Sequence, residues 1–123
     1  MKDLTISLTD QPGSLAALGE AAGRANINIE GACAYVEDGK AVAHICVDDP
    51  DGARRALNEA GLEVTDEQDV ILVQLEDRPG VLGGITRRIA DAGVNLKVAY
   101  LATGTRLVVA ADDLDRAETA ISS

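Results

Sequence analysis

Leu8-Thr9-Asp10-Gln11-Pro12-Gly13-Ser14-Leu15 returns 67 residues later as Leu75-Glu76-Asp77-Arg78-Pro79-Gly80-Val81-Leu82. The same offset sets Leu18 against Ile85, Ala22 against Ile89 and Ala25 against Ala92, then continues through Ile27-Asn28-Ile29 and Val94-Asn95-Leu96. After a short deletion in a hairpin, an offset of 64 matches Ala53, Ala56 and Leu57 with Ala117, Ala120 and Ile121. One shared turn arises easily by chance. Four elements in one order and register mark an internal duplication, so residues 1–67 and 68–123 are expected to form two similar units.

In the first copy Leu4, Ile6 and Leu8 alternate with Thr5, Ser7 and Thr9, the period of a half-buried strand. Pro12-Gly13 breaks it, and Leu15, Leu18, Ala22 and Ala25 then recur at helical spacing. A second strand is expected over 28–36, a turn at Glu37-Asp38-Gly39-Lys40, and a third strand over 41–47. Asp48-Asp49-Pro50-Asp51 is a helix start, with acidic groups at the positive end of the dipole. That helix runs to Ala60 with Gly61 as its cap, and 63–65 reads as a short fourth strand. The second copy repeats the order as strand 70–75, helix 81–92, strands 95–102 and 105–111, and helix 114–121, without a fourth strand. The expected class is α+β: two ferredoxin-like βαββα(β) units in tandem, with antiparallel sheets and helices on one face. An unpaired sheet edge tends to acquire a partner, which predicts a homodimer.

The 123 residues carry 11 basic and 21 acidic groups, a formal charge of -10. No Lys/Arg cluster exceeds the pairs Arg54-Arg55 and Arg87-Arg88, and Phe and Trp are absent. Such a surface lacks the concentrated positive face that nucleic acid requires. Apolar runs such as 70–75 are too short to span a bilayer, and no signal-peptide pattern opens the chain. A cytoplasmic protein with no membrane partner is expected. The acid is uneven: residues 1–67 carry net -8 and residues 68–123 net -2.

The repeated loop carries the functional signal. Asp-x-Pro-Gly-x-Leu occurs twice, each time with an Asn fifteen residues after the Gly, at Asn28 and Asn95. Gly13 and Gly80 lack a Cβ, so the backbone there admits close approach of a ligand. The amides at the following helix start suit a carboxylate. Asp10 and Asp77 offer an acceptor for an ammonium group, and the amides of Asn28 and Asn95 are suited to reading a side chain. Donors and an acceptor at one loop match a zwitterion, that is, an amino acid. Asp-x-Pro-Gly is also a good plain turn, with Asp fixing the bend and Pro presetting φ, and the residue pattern leaves both readings open.

These motifs, with Ala25-Asn26-Ile27-Asn28-Ile29 and Ala92-Gly93-Val94-Asn95-Leu96, resemble tandem ACT domains over nearly the whole chain. The arrangement is similar to small stand-alone bacterial ACT-repeat proteins. The resemblance implies side-by-side units and regulatory amino-acid binding, with contacts from the loop after strand one and the start of strand two. Carried over, it implies ligand contacts at Asp10, Gln11, Gly13, Ser14, Leu15, Ile27 and Asn28. In the second copy it implies Asp77, Arg78, Gly80, Val81, Leu82, Val94 and Asn95. The loops differ at Gln11/Arg78 and Ser14/Val81, so the two sites need not be equivalent. The rival reading is a dimerisation or protein-interaction module that binds no metabolite.

Catalysis is not expected. The chain has one His, no Gly-x-Ser-x-Gly and no phosphate loop. Cys33, Tyr35, His44 and Cys46 fall on one face of the first hairpin if 33 lies opposite 44 or 46. Two thiols and an imidazole suit a soft metal, but the close ligand pairs of a metal site are missing, so packing is expected, with no metal or cofactor. Tyr35 and Tyr100 are the only aromatics and are also read as packing residues.

Overall fold

A computed structural model describes residues 1–122; Ser123, the last position of the second expected unit, lies outside the described residues. The order of elements is β1 (Lys2–Leu8), α1 (Ser14–Arg24), β2 (Ile29–Glu37), β3 (Lys40–Val47), α2 (Pro50–Glu59) and β4 (Glu63–Asp69). It continues with β5 (Ile71–Gln74), α3 (Val81–Asp91), β6 (Leu96–Ala102), β7 (Arg106–Ala111) and α4 (Leu114–Ser122). The chain separates into two compact units, Met1–Gln68 and the residues from Asp69 onward.

In the first unit the strands run β4-β1-β3-β2, with β3 antiparallel to both β1 and β2. In the second they run β6-β7-β5, again with the middle strand antiparallel to both neighbours. Each is a ferredoxin-like α+β unit. Alternation places Leu4, Ile6 and Leu8 of β1 and Ala43, Ile45 and Val47 of β3 on the helix side, where they meet Leu18, Ala21, Ala53 and Leu57. The second core repeats this with Val73, Leu75, Leu107 and Val109 against Ile89 and Ala117. With so few aromatics, both cores are aliphatic.

The local signals act as their chemistry dictates. Asp49 caps α2, its Oδ1 accepting from Gly52 N at 3.0 Å, with Pro50 at the first helical position. Asp38 and Gly39, at φ 51° and 74°, form a two-residue turn between the paired Glu37 and Lys40. The second hairpin pairs Ala102 with Arg106 around a three-residue loop, braced by Arg106 Nε donating to the Thr103 carbonyl at 2.7 Å. One element exceeds its expectation: β4 reaches Asp69 instead of stopping at 65. Its sequence, Glu-Val-Thr-Asp-Glu-Gln-Asp, has almost no apolar alternation to read. Val64 alone anchors it on the core, and Thr65 Oγ1 donates to the Thr5 carbonyl at 3.3 Å. Polar, acidic residues are tolerated in a strand paired on one side only.

The helix-free face of the first sheet is more buried than alternation suggests. Asp3 is fully buried on that face, facing Cys46 on β3. His44 Nδ1 donates to Asp3 Oδ2 at 2.9 Å, and Gln68 Nε2 donates to the same oxygen at 3.2 Å. Cys33 lies opposite His44, and the Tyr35 ring stacks on the imidazole with centroids 6.2 Å apart. The expected shared face is therefore present, and its polar centre is an acid–imidazole pair that alternation did not reveal. In the second copy the same positions hold Val70 for Asp3, Val108 for His44 and Ala110 for Cys46, all buried. One duplicate keeps a polar network where the other keeps aliphatic packing.

Asp3→Ala is accordingly expected to cost about 2–3 kcal/mol in urea unfolding, because His44 loses a buried partner. The double change Asp3→Val with His44→Val installs the second copy's residues and should recover most of that loss; a double variant no better than the single one would contradict the comparison. Cys33 is half-buried, and burial first and the nearby Asp3 charge second raise its thiol pKa, against a lowering backbone hydrogen bond at His44. Its alkylation at pH 8 should run slower than that of a free thiol and catch up as pH rises, since the thiolate is the nucleophile.

Candidate functional site

Each Pro-Gly loop turns a strand into a helix through a glycine in the left-handed region. Gly13 has φ 92° and Gly80 φ 90°, and both stand at the N-cap position. A Cβ at either position would meet no atom within 4 Å. The glycines are thus required by the backbone turn itself, independently of close approach by a ligand. Gln11 N donates to the Thr9 carbonyl at 2.9 Å, and Arg78 N to the Glu76 carbonyl at 3.0 Å. The helices propagate from Ala17 N to Gly13 O at 2.9 Å and from Gly84 N to Gly80 O at 3.0 Å.

Neither α1 nor α3 has a side-chain cap or an acidic residue in its first turn. The other two helices differ. Asp49 caps α2, and Asp113 Oδ1 accepts from Arg116 N at 3.1 Å at the start of α4. The leading amides of a helix lack intrahelical partners; in α1 Ser14 N donates back to the Gln11 carbonyl at 3.4 Å, and no side chain caps the remaining leading amides of α1 or those of α3.

A cleft lies against each loop. The first, about 470 Å³, is lined by Ser7, Thr9, Gln11, Gly13, Ser14 and Ala17, and is walled by Gly61, Leu62 and Glu63. The second, about 330 Å³, is lined by Gln74, Glu76, Arg78, Gly80, Val81 and Gly84, with Ile85 and Arg88. The first six of each are the same positions under the 67-residue offset. The duplication therefore reproduces a cleft as well as a fold.

The structure divides the expected site residues. Gln11, Gly13 and Ser14 line one cleft, and Arg78, Gly80 and Val81 the other. Asp10 and Asp77 are exposed in the loops. Leu15 and Leu82 are about half exposed, and Leu15 borders an apolar groove of about 440 Å³ with Ile29, Ala32 and Cys33. Ile27 and Val94 belong to the cores. The Asn28 amide donates to the Glu30 carboxylate, and Asn95 N donates to Asp112 Oδ1 at 3.1 Å. Both asparagines lie at the far end of their unit from the loop. Ile29 pairs with Val47, which faces Lys2 at the start of β1, whereas the Pro-Gly loop follows its end. Seven residues of strand put about 20 Å between the two ends, so no single small ligand within one unit touches both. Ser7, Gly61, Leu62 and Glu63, with Gln74, Glu76, Gly84 and Arg88, line the clefts without having been singled out in sequence. The repeat carried the signal for three of the pairs: 7/74, 9/76 and 17/84.

A family model described as the ACT domain matches residues 70–122. That stretch makes up nearly all of the second unit, which is similar to the ACT domain. The first unit, outside the matched stretch, repeats the same element order. Among solved structures, a protein of Bacteroides thetaiotaomicron is 24% identical, covers 98% of this chain and 85% of its own, and superposes with a TM-score of 0.84. The regulatory subunit of aspartate kinase from Thermus thermophilus is 22% identical over 98% of this chain and 88% of its own, with a TM-score of 0.74. Its counterpart from Thermus flavus is 20% identical over 98% and 90%, with a TM-score of 0.67. At these identities the likeness is one of fold. No curated protein matches the chain. Among the described residues no helix is long and apolar enough to cross a membrane.

The left-handed glycines set one expectation directly. Gly80→Ala should destabilise the protein by roughly 1–2 kcal/mol through backbone strain alone. A β-branched residue there would therefore perturb the fold together with any ligand, and a melt showing Gly80→Ala to be neutral would contradict the strained turn.

Proposed function

We propose that this ACT-domain protein is a non-catalytic, cytoplasmic regulatory module whose Pro-Gly clefts bind a small amino acid, and that binding is coupled to association of the chain as a homodimer. The observation that carries this reading is the paired absence of caps on α1 and α3, each beside a cleft that the duplication preserves. A ligand carboxylate is the natural partner for uncapped helix amides. Asp10 and Asp77 are the acceptors assigned to its ammonium group, and Gln11, Ser14, Arg78 and Val81 are the positions assigned to selectivity. Leu15, Leu82, Asn28 and Asn95 lie outside the clefts and are assigned to the surface through which the ligand acts, while Ile27 and Val94 pack in the cores behind it. Regulatory subunits of aspartate kinase among the structures of similar fold support a regulatory reading.

A thermal-shift panel of the twenty amino acids tests this, since a ligand present at about 100 times its dissociation constant adds roughly 2.7 kcal/mol of stability. At least one amino acid should raise the melting temperature and increase the sedimentation coefficient. A chain that ignores all twenty yet still dimerises is an interaction module instead.

A further inference from the structure

The two clefts share six positions but not their charge. The second is lined by Glu76, Arg78 and Arg88, and the first by a single ionisable residue, Glu63. The duplication makes the difference specific. Arg78 stands where the first copy has Gln11, and Arg88 where it has Ala21. Ala21 is buried in the first core, and that cleft is instead closed by Gly61, Leu62 and Glu63. Arg88 is exposed and shares one face of α3 with Val81, Gly84 and Ile85, all lining the cleft at helical spacing. Its Nη1 lies 3.4 Å from the Ile121 carbonyl on α4, which holds the side chain along the cleft wall. Arg78 Nε donates to Glu76 Oε2 at 2.7 Å across the opposite rim.

We propose that the second cleft selects a ligand carrying two carboxylates. Resting on the amino-acid reading, that ligand is an acidic α-amino acid. Its main-chain carboxylate meets the uncapped amides after Gly80, and its side-chain carboxylate meets the guanidinium of Arg88, with Arg78 on the rim. A planar, permanently charged fork matches a carboxylate in two parallel hydrogen bonds, which a lone ammonium does not. The acidic first cleft repels the same ligand, since its only charge is Glu63. Specificity thus arises from attraction in one duplicate and repulsion in the other.

Calorimetry on the full chain tests this with L-aspartate and L-glutamate, their amides L-asparagine and L-glutamine, and succinate, which has two carboxylates and no ammonium. The acids should bind about tenfold or more tightly than their amides, and Arg88→Ala should abolish that preference. Arg78→Gln, which installs the first copy's residue, should weaken the acids by a smaller factor. Circular dichroism and melting of both variants establish that they are folded. Amides binding as well as acids, or an acid preference that survives Arg88→Ala, overturns the proposal and leaves the amino-acid reading standing. Succinate binding that depends on Arg88, with no amino acid bound, upholds the dicarboxylate site and overturns the amino-acid reading. No binding of any of these acids overturns the proposal outright.

Discussion

A strand cannot pass directly into a helix packed on its own sheet without an abrupt change of direction. In each unit that change is made at one residue with φ near +90°, Gly13 or Gly80. The left-handed turn aims α1 and α3 back across their sheets, so that Leu18 and Ile89 reach the cores. Both helices open without a side-chain cap, and a cleft lies beside each. Fold and candidate site therefore depend on one backbone conformation that an L side chain adopts only with strain. The plain-turn and ligand-site readings of Asp-x-Pro-Gly are two consequences of a single geometry.

Duplication supplies an internal control for what each position does. Apart from Ala21, whose counterpart is Arg88, the helix-side core positions keep their aliphatic character in both copies, because removing volume from a packed core is costly. The helix-free face has diverged. Asp3 and His44 form a hydrogen-bonded pair in one copy, and Val70 and Val108 stand at the same positions in the other. Both solutions are buried, and both satisfy the rule that a buried polar group has a partner or is absent. The clefts have diverged in charge and in one wall while keeping six lining positions, the pattern expected when a shared scaffold is retained and recognition is altered.

Much of the fold was legible from period and punctuation. The 67-residue offset, the alternation of β1, the Asp-Gly hairpin and the Asp-Pro helix start each name a local conformation with its own physical cause. The length of β4 was not legible, because a strand paired on one side tolerates charge and loses its alternation. Within the candidate site, Gln11, Gly13 and Ser14 and their counterparts were legible because they sit on the loop that the motif names. Arg88 was not, because it joins the site two helical turns later, at a position whose counterpart, Ala21, is a core residue.

By itself the sequence determined that the chain is a duplication, where each helix begins, which faces are apolar, and that the Pro-Gly loop is the recurring feature. These are local properties, set by residue type and spacing along the chain. Only the tertiary structure decided that Asn28 and Asn95 lie at the opposite end of their units from those loops. Only it showed that Asp3 is buried against His44, and that the equivalent clefts carry opposite charge. The reason is the same in each case: these are distances between residues far apart in sequence, and strand length, pairing register and helix packing determine them jointly.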